Sequence, residues 1–339
     1  MHPTQLVRSG VAAARMLATG KATPVNAMVA LTNACNSRCG YCDIYARGEE
    51  GEMTLDELRA LLSALKSRGT SRVGLWGGEP LLRPDIGEIA DHCHELGMWT
   101  TIDTNGYLFP RLYDRLQMVD HWMFSIDGRA PSHERNREAG SHPKVMRAID
   151  HAADVGAHFW MLSVLSRNNL DDIDWMLDLA EARGARVIFQ VLHHAEAHDG
   201  GKGKAILPVD EAYRGALKKL LRAREAGRPV GNSEVGLRYL LDWPDFAVPR
   251  GDAPHKGVRC VAGHLYVNID ANGRVFPCSL LVDEVQAADW RQVGLDAALA
   301  KATEPRSCAA CSATAFSEYN LLYGLDPQTI LSWLQALRG

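Results

Sequence analysis

A short β-branched run followed by a helical pattern recurs between residues 24 and 194, and this alternation limits the fold more than any other feature of the chain. The runs cover residues 27–32, 72–76, 99–104, 121–126, 158–164 and 186–192, with helical patterns at 54–67, 86–96, 110–117, 143–155 and 171–182. Thr54 stands three residues before Glu57, the spacing of a capping box, and Gly69, Gly97, Gly156 and Gly184 fall just past helix ends. Repeated strand–helix units imply a parallel sheet with right-handed crossovers. Six strands fall short of the eight that close a full barrel. The expected fold is therefore α/β, a partial (β/α)6 TIM-like barrel, with its chemistry at the C-terminal ends of the strands.

The texture changes after residue 194. A polar, Gly-rich stretch at 196–204, a lid or simply a solvated loop, precedes helical patterns at 209–225 and 233–241. Runs at 264–269 and 274–277 flank Asn272-Gly273, a strong hairpin signal, and residues 314–337 are mostly helical in pattern. The division that follows is a helical extension over 1–24, the barrel over 25–206, a helical linker over 207–259 and a small C-terminal domain over 260–339. The first 42 residues hold no acid and superficially resemble a transit peptide, but a helix packed under the first strand is the simpler reading. With 46% hydrophobic and 23% charged residues, the 339-residue chain has the balance of a soluble globular protein. Its formal net charge of −4 gives no reason to expect nucleic acid or an anionic membrane as partner. No apolar run approaches the roughly 20 residues of a membrane span.

Eight cysteines fall into two groups, Cys35, Cys39 and Cys42 early and Cys260, Cys278, Cys308 and Cys311 late, with Cys93 alone in a helix as a small hydrophobe. Charge interrupts the stretch from Leu6 to Ala18, so no secretory signal is present and the expected compartment is the cytoplasm. There, clustered thiols usually mean metal. Cys35-Asn-Ser-Arg-Cys39-Gly-Tyr-Cys42 directly follows the first strand. Three thiolates on one loop can wrap a corner of a 4Fe–4S cubane and leave one iron open. A zinc knuckle short of a ligand is the alternative, and the spacing, with an aromatic before the third cysteine, weighs against it.

These residues resemble the signature of the radical S-adenosylmethionine (SAM) superfamily. The resemblance implies that Cys35, Cys39 and Cys42 hold a 4Fe–4S cluster whose open iron chelates SAM. It further implies reductive cleavage of SAM to a 5′-deoxyadenosyl radical that abstracts hydrogen from a substrate. Gly77-Gly78-Glu79-Pro80 ends the second strand and looks like the family's motif for the SAM ammonium. The two glycines would let the backbone approach the ligand, and Glu79 offers a carboxylate to a cation. Asp103-Thr-Asn105-Gly106 resembles the segment near the ribose, or is a simple turn. Ser125-Ile-Asp127-Gly128, continuing to His133, Asn136 and Arg137, resembles a region in which Ser125 and Arg137 contact the SAM carboxylate. An exposed arginine at a helix start is the alternative for Arg137. Tyr41 is expected near the adenine, and Ser163 and Asn168 are further candidates for SAM contact.

On spacing alone, Cys260, Cys278, Cys308 and Cys311 suit zinc as well as a cluster. Their arrangement around Gly273 and a CxxC pair resembles the auxiliary-cluster pattern of SPASM and Twitch domains. Four cysteines match the shorter, one-cluster Twitch version. That resemblance implies a second 4Fe–4S cluster, fully ligated, with an electron-transfer or structural role. The sixth strand ends in Gln190, His193 and His194, candidates for substrate contact or proton transfer. A metal site involving His198 is the minor alternative. The resemblance leaves three functions open: redox modification of a small molecule, maturation of a ribosomal peptide, or a non-catalytic scaffold. The short segment before the first strand favours a small-molecule substrate, because many peptide maturases carry an added N-terminal domain. An intact SAM constellation argues against the scaffold. A flavodoxin or ferredoxin is the expected electron donor.

Overall fold

The computed structural model describes residues 3–20, 22–193 and 202–336. Six parallel strands form where the alternation places them: β1 Asn26–Thr32, β2 Arg72–Gly77, β3 Trp99–Thr104, β4 His121–Ser125, β5 Phe159–Leu165 and β6 Val187–Val191. Each pairs with its predecessor, as expected for right-handed strand–helix–strand units. One strand face packs against the helices. Ala27, Val29, Val73, Leu75, Ile102, Trp122, Phe124, Met161 and Phe189 belong to this buried core. The alternate residues point into the barrel.

Helix ends follow local chemistry. The helix Leu55–Ser67 starts from Thr54, whose hydroxyl accepts from the Glu57 N–H while the Glu57 carboxylate accepts from the Thr54 N–H, a complete capping box. The helical pattern at 110–117 is realised only as Phe109–Leu112 and a 3-10 turn at Tyr113–Arg115. Phe109 packs edge-on to Trp122 and Phe124 with centroids 4.8 and 4.9 Å away, and this anchoring holds the segment as short turns. A further helix, Ala130–Asn136, has seven largely polar residues and no apolar stripe to announce it.

The C-terminal hairpin is continuous with the barrel. After the short strand β7 (Arg250–Gly251), β8 (Tyr266–Ile269) pairs in parallel with β1, bringing Asn26 opposite Tyr266 and Met28 opposite Asn268. Strands β9 (Arg274–Phe276) and β10 (Ala288–Asp289) add antiparallel, giving a nine-stranded sheet. The sequence marks a hairpin here but not its partner: an uncovered β1 edge would expose a row of unpaired backbone groups, and β8 covers it. β11 (Ala310–Cys311) pairs with β7 in a separate two-stranded sheet.

The helix Thr314–Tyr323 closes the open side. The Thr314 hydroxyl accepts from the Val191 N–H at 3.2 Å, and Phe316 stacks on Tyr266 at 5.6 Å. Tyr319 accepts from Arg72 in the barrel floor, and Arg72 also donates to Asn26. Ala13 and Met16 of the first helix, Pro3–Thr19, join a second core with Val25, Val261, Leu265 and Phe316. The N-terminal segment is helical and packs mainly on the C-terminal segments, reaching the barrel at Val25 just before the first strand. Among the described residues no helix is long and apolar enough to cross a membrane.

Asn320 locks this plug, its Oδ1 accepting from the Val261 N–H at 3.0 Å and the Tyr266 hydroxyl at 3.1 Å. Asn320→Leu leaves both buried donors unpaired and is expected to destabilise the apo protein by at least about 2 kcal/mol, read as a lowered denaturation midpoint.

Candidate active site

Cys35, Cys39 and Cys42 sit on the loop after β1, at the C-terminal mouth of the barrel. Burial pushes the Cys35 thiol up to about 12, and Glu79, Cys39 and Cys42 push in the same direction. Burial also raises Cys42 to about 11, with Cys39 adding to it. Cys35 and Cys42, whose ionised forms burial disfavours, would be relieved by a cation held between them and Cys39. The Arg137 Nη1 already lies 3.7 Å from the Cys39 Sγ.

Asp127 organises this region. Fully buried at the end of β4, its Oδ2 accepts from the Tyr41 hydroxyl at 2.7 Å and from the Arg137 Nε at 2.8 Å. Its Oδ1 accepts from the Val164 N–H at 2.9 Å, and its own N–H donates to the His133 Nδ1 at 3.1 Å. Burial pushes His133 down to about 2, which keeps that imidazole a neutral acceptor. Arg137 is therefore buried at the C-terminal end of the helix Ala130–Asn136 rather than exposed at a helix start. Asp127 was visible in the SxDG run with Arg137 ten residues on, but its uncharged partners Tyr41 and Val164 are remote in sequence.

The segment after β2 stacks on the cysteine loop. A Cβ on Gly77 would stand 2.3 Å from the Thr32 carbonyl, and one on Gly78 2.1 Å from the Ala34 carbonyl. What the two glycines approach is the root of the cysteine loop, where the Gly78 and Glu79 N–H groups donate to the Thr32 and Ala34 carbonyls at 2.7 and 2.8 Å. Pro80 opens a 3-10 turn capped by Glu79. The 1%-exposed Glu79 carboxylate accepts from the Leu81 N–H, the Thr104 hydroxyl and the Asn105 N–H at 3.0, 2.7 and 2.8 Å. Burial nevertheless raises it to about 7.

The other sequence candidates divide. Asn105 donates to Asn36 in the cysteine loop at 2.7 Å. Tyr41 lines the inner cavity, and Ser125 lies on the inward face of β4. Asp103 also faces inward but towards the floor; burial pushes it up to about 6, with Arg72 acting the other way. Ser163 does not join them. It shares the helix-facing side of β5 with Met161 and Leu165 and is fully buried, because strand parity turns it away. Asn168 reaches the triad only indirectly, donating to Asn136, whose carbonyl accepts from the Gly40 N–H. His193 lines the cavity; His194, His198 and residues 196–201 of the Gly-rich stretch lie outside the described residues.

The inner cavity, about 280 Å³, is bounded by Tyr41, Cys42, Trp76, Gln190, His193 and Asn268. Beside it opens a groove of about 1180 Å³ lined by residues including Trp243, Arg250, His255, Arg306 and Cys308, and His193 and Leu280 border both. Of the second cysteine set, Cys308 lines the groove, Cys311 lies on β11, Cys278 follows β9 and Cys260 precedes β8. Burial pushes Cys278 up to about 12, with Cys260 and Cys308 adding to it. Burial, Cys260, Cys278 and Cys308 all raise Cys311. The Arg306 Nη2 lies 3.8 Å from the Cys260 Sγ. Among the described residues no three His, Cys, Asp or Glu side chains converge as ligands of one ion; the thiols of each set act on one another through space.

A thiol triad at the mouth of a partial barrel, with Glu79 and Arg137 around it, has the donor set that suits an iron–sulfur cluster. Residues 29–180 match the radical SAM superfamily, and the chain carries a radical SAM domain, whose cofactors are a 4Fe–4S cluster and SAM. An AdoMet-dependent heme synthase of Methanosarcina barkeri is 27% identical over 74% of this chain and 75% of its own length. A PqqA peptide cyclase of Ruegeria pomeroyi is 29% identical over 75% of this chain and 67% of its own. Streptococcus suis SuiB bound to S-adenosylmethionine shares the fold with a TM-score of 0.66 at 15% identity, over 83% of this chain and 67% of that one. Native anSMEcpe with bound AdoMet and Cp18Cys peptide does so with a TM-score of 0.63 at 15% identity, over 91% of this chain and 99% of that one.

Asp127→Asn leaves the Arg137 guanidinium buried without its counter-charge. We expect a loss of about 3–5 kcal/mol in denaturant unfolding of the apo protein, against about 1 kcal/mol for Tyr41→Phe, which removes one hydrogen bond.

Proposed function

We propose that this chain is a radical SAM enzyme that modifies a peptide. The observation that carries the reading is the groove of about 1180 Å³ that runs from the Cys308 end of the second cysteine set to the inner cavity. A substrate confined to the inner cavity would leave that groove unused, whereas an extended chain lies along it and presents one residue at His193. The PqqA peptide cyclase relative and the SuiB structure bound to precursor peptide SuiA support the same reading. The expectation of a small-molecule substrate rested on the short N-terminal segment; the match to the heme synthase is what favours it now.

Cys35, Cys39 and Cys42 would hold the first 4Fe–4S cluster, and Cys260, Cys278, Cys308 and Cys311 the second. When bound, the reduced first cluster with SAM supplies a 5′-deoxyadenosyl radical for hydrogen abstraction. The chain's own residues position and protect. Glu79 accepts three hydrogen bonds, and a carboxylate has about four lone-pair sites, which leaves room for the SAM ammonium. Arg137, fixed by Asp127, directs its remaining donors at the triad and the SAM carboxylate, with Ser125 on the same side. Tyr41 borders the adenine, and Asn105 holds the cysteine loop through Asn36. His193, bordering cavity and groove, is the candidate for substrate contact or proton transfer. The division into extension, barrel, linker and cluster-bearing region describes roles along the chain, the barrel and the C-terminal hairpin sharing the nine-stranded sheet. An electron donor of the flavodoxin or ferredoxin type fits, in the cytoplasm, where such thiols stay reduced.

Reconstituted protein should hold about eight irons, and replacing Cys35, Cys39 and Cys42 by Ala should leave about four and abolish SAM cleavage. Four irons with a stoichiometric zinc in the wild type would sink the second cluster. Glu79→Gln should weaken SAM about ten- to a hundredfold in anaerobic titration while iron stays at about eight. For the substrate, a short peptide encoded beside the gene should stimulate SAM cleavage and change in mass. Stimulation by small molecules alone would reverse the reading.

A further inference from the structure

Two polar side chains in the inner cavity have no hydrogen-bond partner among the described residues. Asn268, on β8, is 2% exposed, and neither its Oδ1 nor its Nδ2 has a partner. Trp76, near the end of β2, lines the same cavity, and its buried Nε1–H is likewise unpartnered. Both strands flank β1, whose inward residues Met28 and Ala30 stand opposite Asn268 and Trp76 in the pairing register. The strand alternation supports this placement, since Val267 and Ile269 on either side of Asn268, and Leu75 beside Trp76, belong to the helix-facing core.

Buried side-chain amides nearly always find hydrogen-bond partners. The neighbouring polar residues do: Asn33 donates to the Gly48 carbonyl, and Asp270 accepts from Asn272 and Arg274. Asn268 therefore stands apart, with a donor and an acceptor side by side on one planar group and a further indole donor in the same wall. A carboxylate would pair with the two donors but set an oxygen against the Asn268 Oδ1. An ammonium would satisfy that oxygen and leave both donors empty. A peptide main chain answers all three: the N–H and C=O that flank one Cα point to the same side and meet Oδ1 and Nδ2, and the carbonyl of the preceding residue meets the indole.

We propose that Asn268 and Trp76 form a recognition site for the substrate's peptide main chain, the N–H and C=O that flank one Cα. This rests on the peptide reading of the same site, although a primary amide, whose N–H and carbonyl share one edge, would pair with Asn268 in the same way. The adenine edge of SAM presents a comparable donor and acceptor, so SAM binding has to be measured beside it.

The test uses holoenzyme carrying both clusters, with SAM present, and N-acetylalanine N′-methylamide as probe beside its all-ester analogue, methyl O-acetyl-lactate, which has no N–H, followed by saturation-transfer NMR. Wild type should bind the methylamide at least tenfold more tightly than the ester. Asn268→Leu should weaken methylamide binding at least tenfold and abolish the discrimination, with SAM affinity and iron content unchanged. Trp76→Phe should weaken both probes and leave SAM binding intact. Absence of methylamide binding to wild type, equal binding of amide and ester, or unchanged amide binding in a fully clustered Asn268→Leu overturns the proposal. A loss of SAM affinity overturns it too, by assigning the residue to the cofactor. If Asn268→Leu does not fold, Asn268→Asp, which keeps the shape and removes the donor, gives the same comparison. If no encoded peptide is a substrate but the probe behaves as expected, only the peptide reading falls.

Discussion

The mouth of the barrel depends on the buried pair of Asp127 and Arg137. One carboxylate gathers the Tyr41 hydroxyl, the Arg137 guanidinium and the Val164 N–H, so the cysteine loop, the Ala130–Asn136 helix and the end of β5 share one anchor. A buried ion pair is seldom a net stabiliser when compared with a well-packed apolar alternative. Its value here is positional. Arg137 is left with a single orientation, and that orientation carries a positive charge to the Cys39 sulfur.

Around this anchor the loops are stacked rather than draped. Gly77 and Gly78 admit the backbone of the cysteine loop at distances no side chain would allow. Glu79 then reaches across to Thr104 and Asn105 at the end of β3, and Asn105 reaches back to Asn36. Loops after three successive strands are thereby braced against one another. A ligand seated among them meets groups that are already fixed, and little ordering remains to oppose binding.

Much of the architecture was legible because it is local. The six barrel strands lie within a residue or two of the alternating runs, since each run carries its own facing pattern and its own turn signals. The thiol triad and the glycine pair could be read for the same reason: their neighbours in space are neighbours in sequence or end adjacent strands. What could not be read was long-range or parity-dependent. Ser163 carries a plausible residue type, but one step along β5 separates the cavity face from the helix face. The bonds of Asp127 to Tyr41 and Val164 and the unused amide of Asn268 involve separate elements, and no spacing rule connects them. The pairing of β8 with β1 is a contact between the two ends of the barrel, invisible to any window of sequence.

That last pairing bears on how the protein comes into being. β1 is made early, yet its second neighbour, β8, and the helix that plugs the barrel come from the far end of the chain; the Arg72–Tyr319 bond in the floor spans 247 residues. Contacts so distant in sequence form slowly, because a long loop must close before they are rewarded. On the ribosome the early cysteine loop therefore emerges well before the strand that borders it, with its thiols accessible in the interval. Completion of the C-terminal hairpin then turns an open loop into an enclosed site.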